Sequence, residues 1–144
     1  MGNAEAIVYG CIRDTVYSAS PDRVQQRREV NRQVLAALPG LEEWPLLARE
    51  MFAAPLTNVH LGAMHTDVVH FGSAYQTVEY EWDHWMDCFE SMLRRMYWVS
   101  ATVHLETELS GLHTFTWQSE GEYHRPGDPS LALRCEWVRE GMLS

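Results

Sequence analysis

Residues 77–118 read TVEYEWDHWMDCFESMLRRMYWVSATVHLETELSGLHTFTWQ, and the fold turns on this stretch. Its first half repeats with a helical period. Trp82, Trp85, Met86, Phe89, Met92, Leu93 and Met96 recur at i, i+3, i+4 and i+7, which marks one buried helix face. The opposite face carries Glu81, Asp83, His84, Asp87, Glu90, Ser91, Arg94 and Arg95. Thr77 is placed to cap the start, Glu79, Glu81 and Asp83 favour the positive end of the helix dipole, and the two arginines favour the other. Glu90 and Arg94 have the spacing of an i,i+4 ion pair. A helix over Glu79–Met96 is expected.

The period then drops to two. Tyr97, Val99, Ala101, Val103 and Leu105 alternate with Trp98, Ser100, Thr102, His104 and Glu106, as in a strand with one buried face. Leu109-Ser110-Gly111 reads as a hairpin loop with Gly in the left-handed conformation. Closing it there sets Thr107 against His113, Leu105 against Phe115 and Val103 against Trp117. A slip of one residue would turn the whole apolar face outward.

Working outward, Ala6–Tyr17 is rich in β-branched and aromatic residues and reads as a first strand, with Gly10 marking a bulge or a close contact. Ser20-Pro21-Asp22 opens a helix whose stripe is Val24, Val30, Val34, Leu35 and Leu38, and Pro39-Gly40 ends it. A shorter helix is expected from Leu41 or Glu42 to Phe52, packing through Trp44, Leu47, Met51 and Phe52. Two short strands follow, around residues 59–64 and 68–76, with His65-Thr66-Asp67 as the turn. After Gln118 the chain reads as an exposed loop to Pro129, then a last strand from Leu131 to Val138.

Strand runs between helices predict a single α+β domain over residues 1–144, a mostly antiparallel sheet with helices on one face. The order resembles a ferredoxin-like βαββαβ plan with extra strands. Such plans serve many functions, so the topology implies none.

At 144 residues the chain is long enough to bury roughly 68–70% of the surface its unfolded form exposes. The formal net charge is −9, and all 11 basic residues are arginines. That balance opposes binding to nucleic acid and excludes lysine Schiff-base and P-loop chemistry. No apolar run reaches the roughly 20 residues of a membrane span. Met1–Arg13 lacks a basic region followed by a long apolar core, so no secretory leader is expected. Cys11, Cys88 and Cys135 are widely spaced and odd in number, which suits free thiols in a reducing cytoplasm.

Seven histidines show no HxxxH or HExxH spacing, and His60, His65 and His70 do not share one strand face; no metal or other cofactor is expected. No GxSxG elbow, Walker loop or GxGxxG is present. Two surfaces remain as candidates. One is the acidic helix face, Glu81, Asp83 and Asp87, with Trp98 and Trp137 as the tryptophans expected at the surface and Trp98 as an anchor. It points to a non-catalytic immunity- or adaptor-type protein that meets a basic protein partner. The other is the polar face of the 97–118 hairpin, with His104 as base or ligand and Glu106 two residues on. It points to a small-molecule-binding domain or a small enzyme.

Overall fold

The computed structural model describes residues 5–15, 21–53, 66–128 and 132–137, the side chains of 15, 21, 66, 67, 79 and 132–137 excepted. The chain adopts an α+β fold. Strand β1 (Glu5–Thr15) leads to helix α1 (Pro21–Ala36), then to the two-residue strand β2 (Phe52–Ala53) and to β3 (Thr66–Gln76). Helix α2 (Trp82–Leu93) follows, then β4 (Ser100–Thr107), β5 (Gly111–Gln118) and β6 (Ala132–Trp137). Among the described residues the six strands form one sheet in the order β2-β3-β1-β4-β5-β6, every neighbour antiparallel. The first four strands and two helices run in the order βαββαβ, with β2 at Phe52–Ala53, where the end of a helix was expected, and β5 and β6 widen the sheet on one side.

One face of the sheet is covered. Ala6, Val8, Ile12, Phe71, Ala101, Val103, Leu105, Phe115 and Trp117 are buried on it, with Trp85, Phe89, Met92 and Leu93 of α2 against them. The helix lies down through a row of rings. Trp82 stacks on Trp85 at 4.8 Å and Trp85 on Phe89 at 5.2 Å, while Phe89 meets Phe71 at 5.4 Å and Trp117 at 5.1 Å. Gly10 is a close contact: a Cβ there would collide with the Thr102 carbonyl and come within 2.9 Å of the Phe71 ring. Strand β3 turns Val69, Phe71, Ser73 and Tyr75 inward, leaving His70, Gly72 and Ala74 exposed.

Helix α1 covers the same face by other means. Its inner stripe includes Arg27 and Asn31 among the valines and leucines. Buried Arg27 forms an ion pair with buried Asp14 of β1 and lies 4.0 Å from the Tyr123 ring centre and 5.1 Å from that of Tyr97. The Asn31 amide donates to the Tyr97 carbonyl and accepts from the Tyr97 N–H, at 2.9 and 2.8 Å.

Several expectations are corrected. Thr77 makes no capping bond. It takes a left-handed φ of 62° before a 3-10 turn at Val78–Glu81, and α2 proper begins at Trp82. Glu90 accepts a 2.9 Å bond from the Trp117 indole, across the core edge, in place of the ion pair expected with Arg94. Residues 41–52 form no α-helix but two 3-10 turns, Leu41–Glu43 and Arg49–Met51. Pro45 disfavours helical geometry at the residue before it, and Trp44 is left-handed with φ 54°. Leu47 and Met51 do pack inward; Trp44 does not. Thr66 and Asp67 belong to β3 and are not a turn, while the strand expected at 59–64 lies outside the described residues.

The hairpin register also differs. Gly111 has the expected positive φ, 81°, but pairs with Thr107, so Val103 faces Phe115 and Leu105 faces His113. The Thr107 hydroxyl accepts the Ser110 N–H at 2.8 Å, which closes the turn earlier than expected. The slide is two residues long, one full strand period, so every side chain keeps its face.

Candidate functional site

The residues singled out from the sequence fall on opposite sides of the sheet. Helix α2 packs on the covered face, so its polar side points away from the sheet. Asp83 and Asp87 are exposed on α2, and Glu81 is exposed at the end of the preceding 3-10 turn. Among the described residues none of the three has a cationic partner. A hollow of about 340 Å³ is lined by Tyr80, Glu81, Trp82, Asp83 and His84. Tyr80 is 78% exposed. The Trp82 indole N–H is buried and has no hydrogen-bond partner among the described residues. The acidic run exists because seven core-directed positions need the other helix face for solvation, and the first turn favours negative charge.

His104 and Glu106 share the other, open face of the sheet. His104 is half-buried. Its Nδ1 is 3.0 Å from the Thr114 hydroxyl, and its ring leans on Tyr9 at 4.9 Å. Glu106 is exposed and pairs across the strands with Ile7 and Leu112. The sheet separates this pair from the acidic helix face, so the two candidate surfaces are distinct.

Trp98 belongs to neither. It is 0% exposed, its indole donates to the Leu93 carbonyl at 2.9 Å, and its ring stacks on buried His124 at 4.8 Å. The ladders with β1 and β5 begin at Ser100, and Trp98 lies outside them in an isolated antiparallel bridge to His124. The Leu93 carbonyl, at the end of α2, thus accepts both the Trp98 indole and the Met96 N–H, the latter at 3.1 Å. The expectation of an exposed anchor at Trp98 is therefore overturned. The Trp137 side chain lies outside the described residues.

The sequence reading missed three groups. The Arg27–Asp14 pair fixes α1 to the end of β1 and could be found only by treating Arg27 as part of the inner stripe. Ser110 Oγ lies 2.6 Å from Thr107 Oγ1 and 2.9 Å from His113 Nε2, a network that ties the hairpin turn together. Trp44 stands 93% exposed beside exposed Leu41; Pro45 was the available signal.

Tyr75 and Cys88 titrate away from their ordinary values. Burial pushes the Tyr75 phenol up, opposed by hydrogen bonds from Trp85 and Ser73. Burial, with the neighbouring Asp87 charge adding to it, pushes the Cys88 thiol up, which lowers its thiolate fraction at neutral pH. Cys11 and Cys88 are free and half-buried. Among the described residues no group of three or more His, Cys, Asp or Glu is placed to hold a metal ion. No described helix is long and apolar enough to cross a membrane. No protein-family model, curated protein or solved structure matches the chain.

Proposed function

We propose that the chain is a non-catalytic binding protein of immunity or adaptor type that meets a basic protein partner through the outer face of α2. One observation carries this reading: Glu81, just before α2, and Asp83 and Asp87 on it are all exposed, and among the described residues none of them forms an ion pair. Their helix is fixed from behind by a row of stacked rings, so the carboxylates are presented on a rigid element. The net charge of −9 adds a long-range field of the same sign, which speeds encounter with a basic surface.

The test is kinetic. A partner recovered from the native cell should associate more slowly as salt rises, because exposed charges are screened beyond roughly 8 Å at physiological ionic strength. Replacing Glu81, Asp83 and Asp87 together by Lys should slow association and flatten that salt dependence. An acidic partner, or an association rate indifferent to salt, would remove the reading. The alternative is a small-molecule site on the open sheet face around His104 and Glu106. It has less support, because His104 is held against Tyr9 and Thr114 while Glu106 stands in solvent.

A further inference from the structure

We infer that Trp44 is the anchor of a protein–protein interface, and that with Leu41, Glu42 and Glu43 it fits an apolar socket with a basic rim on the partner. The inference rests on the reading of a basic protein partner and locates the contact that holds it.

Trp44 is in an unusual state. It is a large aromatic residue in the left-handed region, φ 54° and ψ 45°, where side chains other than glycine are disfavoured. Strain of that kind is ordinarily offset by burial of the side chain. Here the side chain is 93% exposed, and Leu41 beside it is 57% exposed. Neither packing nor backbone preference explains a tryptophan at this position. A role in contact with another molecule does, and tryptophan is among the residue types enriched in the energetic centres of interfaces.

The loop that presents it is firmly held. The Trp44 N–H donates to the Leu41 carbonyl at 3.1 Å, and the Glu43 N–H to the Gly40 carbonyl at 3.0 Å. Glu50 accepts the Leu41 N–H at 3.2 Å, and the Arg49 N–H reaches the Pro39 carbonyl at 3.0 Å. On the inner side Leu47, Ala48 and Met51 are buried. The Tyr75 hydroxyl donates to the Leu46 carbonyl at 2.6 Å and accepts from the Trp85 indole at 3.2 Å, which ties the loop to α2. An exposed aromatic on a preformed loop loses little freedom on docking.

Charge selects the occupant. Glu42, Glu43 and Glu50 surround the tryptophan in sequence, against Arg49 alone, whose contacts to Glu42 and Glu50 are long at 3.8 Å. A second copy of the chain would bring like charges together, on molecules each carrying −9. An anionic lipid surface would be repelled in the same way. A protein socket with basic residues at its edge satisfies both the rings and the carboxylates.

The experiment places a photo-crosslinking amino acid at Leu41 in the full chain in its native host, then measures binding of the captured protein, purified, by surface plasmon resonance. Trp44→Ala should raise its off-rate by roughly thirtyfold or more, the effect of losing an interface centre. Glu42→Lys with Glu43→Lys should slow its association. Trp44→Gly, which relieves the left-handed backbone, should leave the Tm unchanged or raised while losing binding to the same degree. Five outcomes would overturn the inference. They are the absence of any crosslinked protein, an off-rate indifferent to Trp44→Ala, a Tm lowered by Trp44→Gly, Trp44-dependent self-association in sedimentation, and Trp44-dependent binding to phosphatidylcholine or phosphatidylglycerol vesicles. If Trp44→Ala matters and reversal of Glu81, Asp83 and Asp87 does not, the α2 reading fails and the anchor stands. The converse result removes the anchor and keeps that reading.

Discussion

At the scale of single residues, Arg27 holds α1 to the sheet through a charge, although a charged residue on a helix is ordinarily solvated. Its burial against Asp14, between the Tyr97 and Tyr123 rings, makes the pair sensitive to the loss of one member. Asp14→Ala should destabilise by about 3–5 kcal/mol, because it leaves a buried charge without its counterion. Combining it with Arg27→Met should cost clearly less than the two single changes added. Urea denaturation of the three variants measures both, and strict additivity would show that the pair is not coupled.

Elements were legible where a period persisted for several turns. Helix α2 shows seven apolar positions in register, and the structure buries Trp85 and Phe89 as the spacing requires. Phe89→Ala should therefore cost about 3–5 kcal/mol in chemical denaturation, the range for a large aromatic in a core. A loss below about 1 kcal/mol, typical of a surface change, would contradict its place between Phe71 and Trp117. In the segment at 41–52 the apolar residues also fit a helical stripe, which masks the effect of Pro45 on Trp44. In the hairpin the alternation gives the faces of the side chains but not their partners. Periodicity of two cannot distinguish registers that differ by two, and the hydroxyl of Thr107 decides between them. Gly111→Ala should cost about 1–2 kcal/mol, since its φ of 81° lies where an added Cβ is disfavoured. An unchanged urea midpoint would show that the turn can relax into another form.

For the whole molecule, the α+β class with an antiparallel sheet followed from the succession of periods, whereas the two-residue β2 is too short to show one. The pairing of distant strands did not, because it depends on contacts absent from any local window. Tyr75 joins three parts of the structure: β3, which carries it, the Leu46 loop and Trp85 of α2. Its phenol is raised above the ordinary value of 10.0, chiefly by burial. In the folded state the group thus resists ionising more than in the unfolded chain. The stability this supplies is fully present below about pH 10 and is lost as pH rises through the higher folded value. Tyr75→Phe should lower stability at pH 8, through its lost hydrogen bonds, yet flatten the further decline towards pH 11. Parallel declines in the two proteins would show that other groups govern the alkaline limb.

The strand at the middle of the sheet is the first one in the chain. β1 pairs on one side with a strand that starts at residue 66 and on the other with one that starts at residue 100. During synthesis it leaves the ribosome long before either neighbour exists, with Ile7, Val8, Ile12 and the backbone of eleven residues unpaired. The sheet cannot close across its centre until β4 has emerged, so folding waits for most of the chain and proceeds through non-local contacts, which are slow to form. Until then the nascent protein carries an open apolar strand, a site for chaperone capture or for pairing with another unfinished copy.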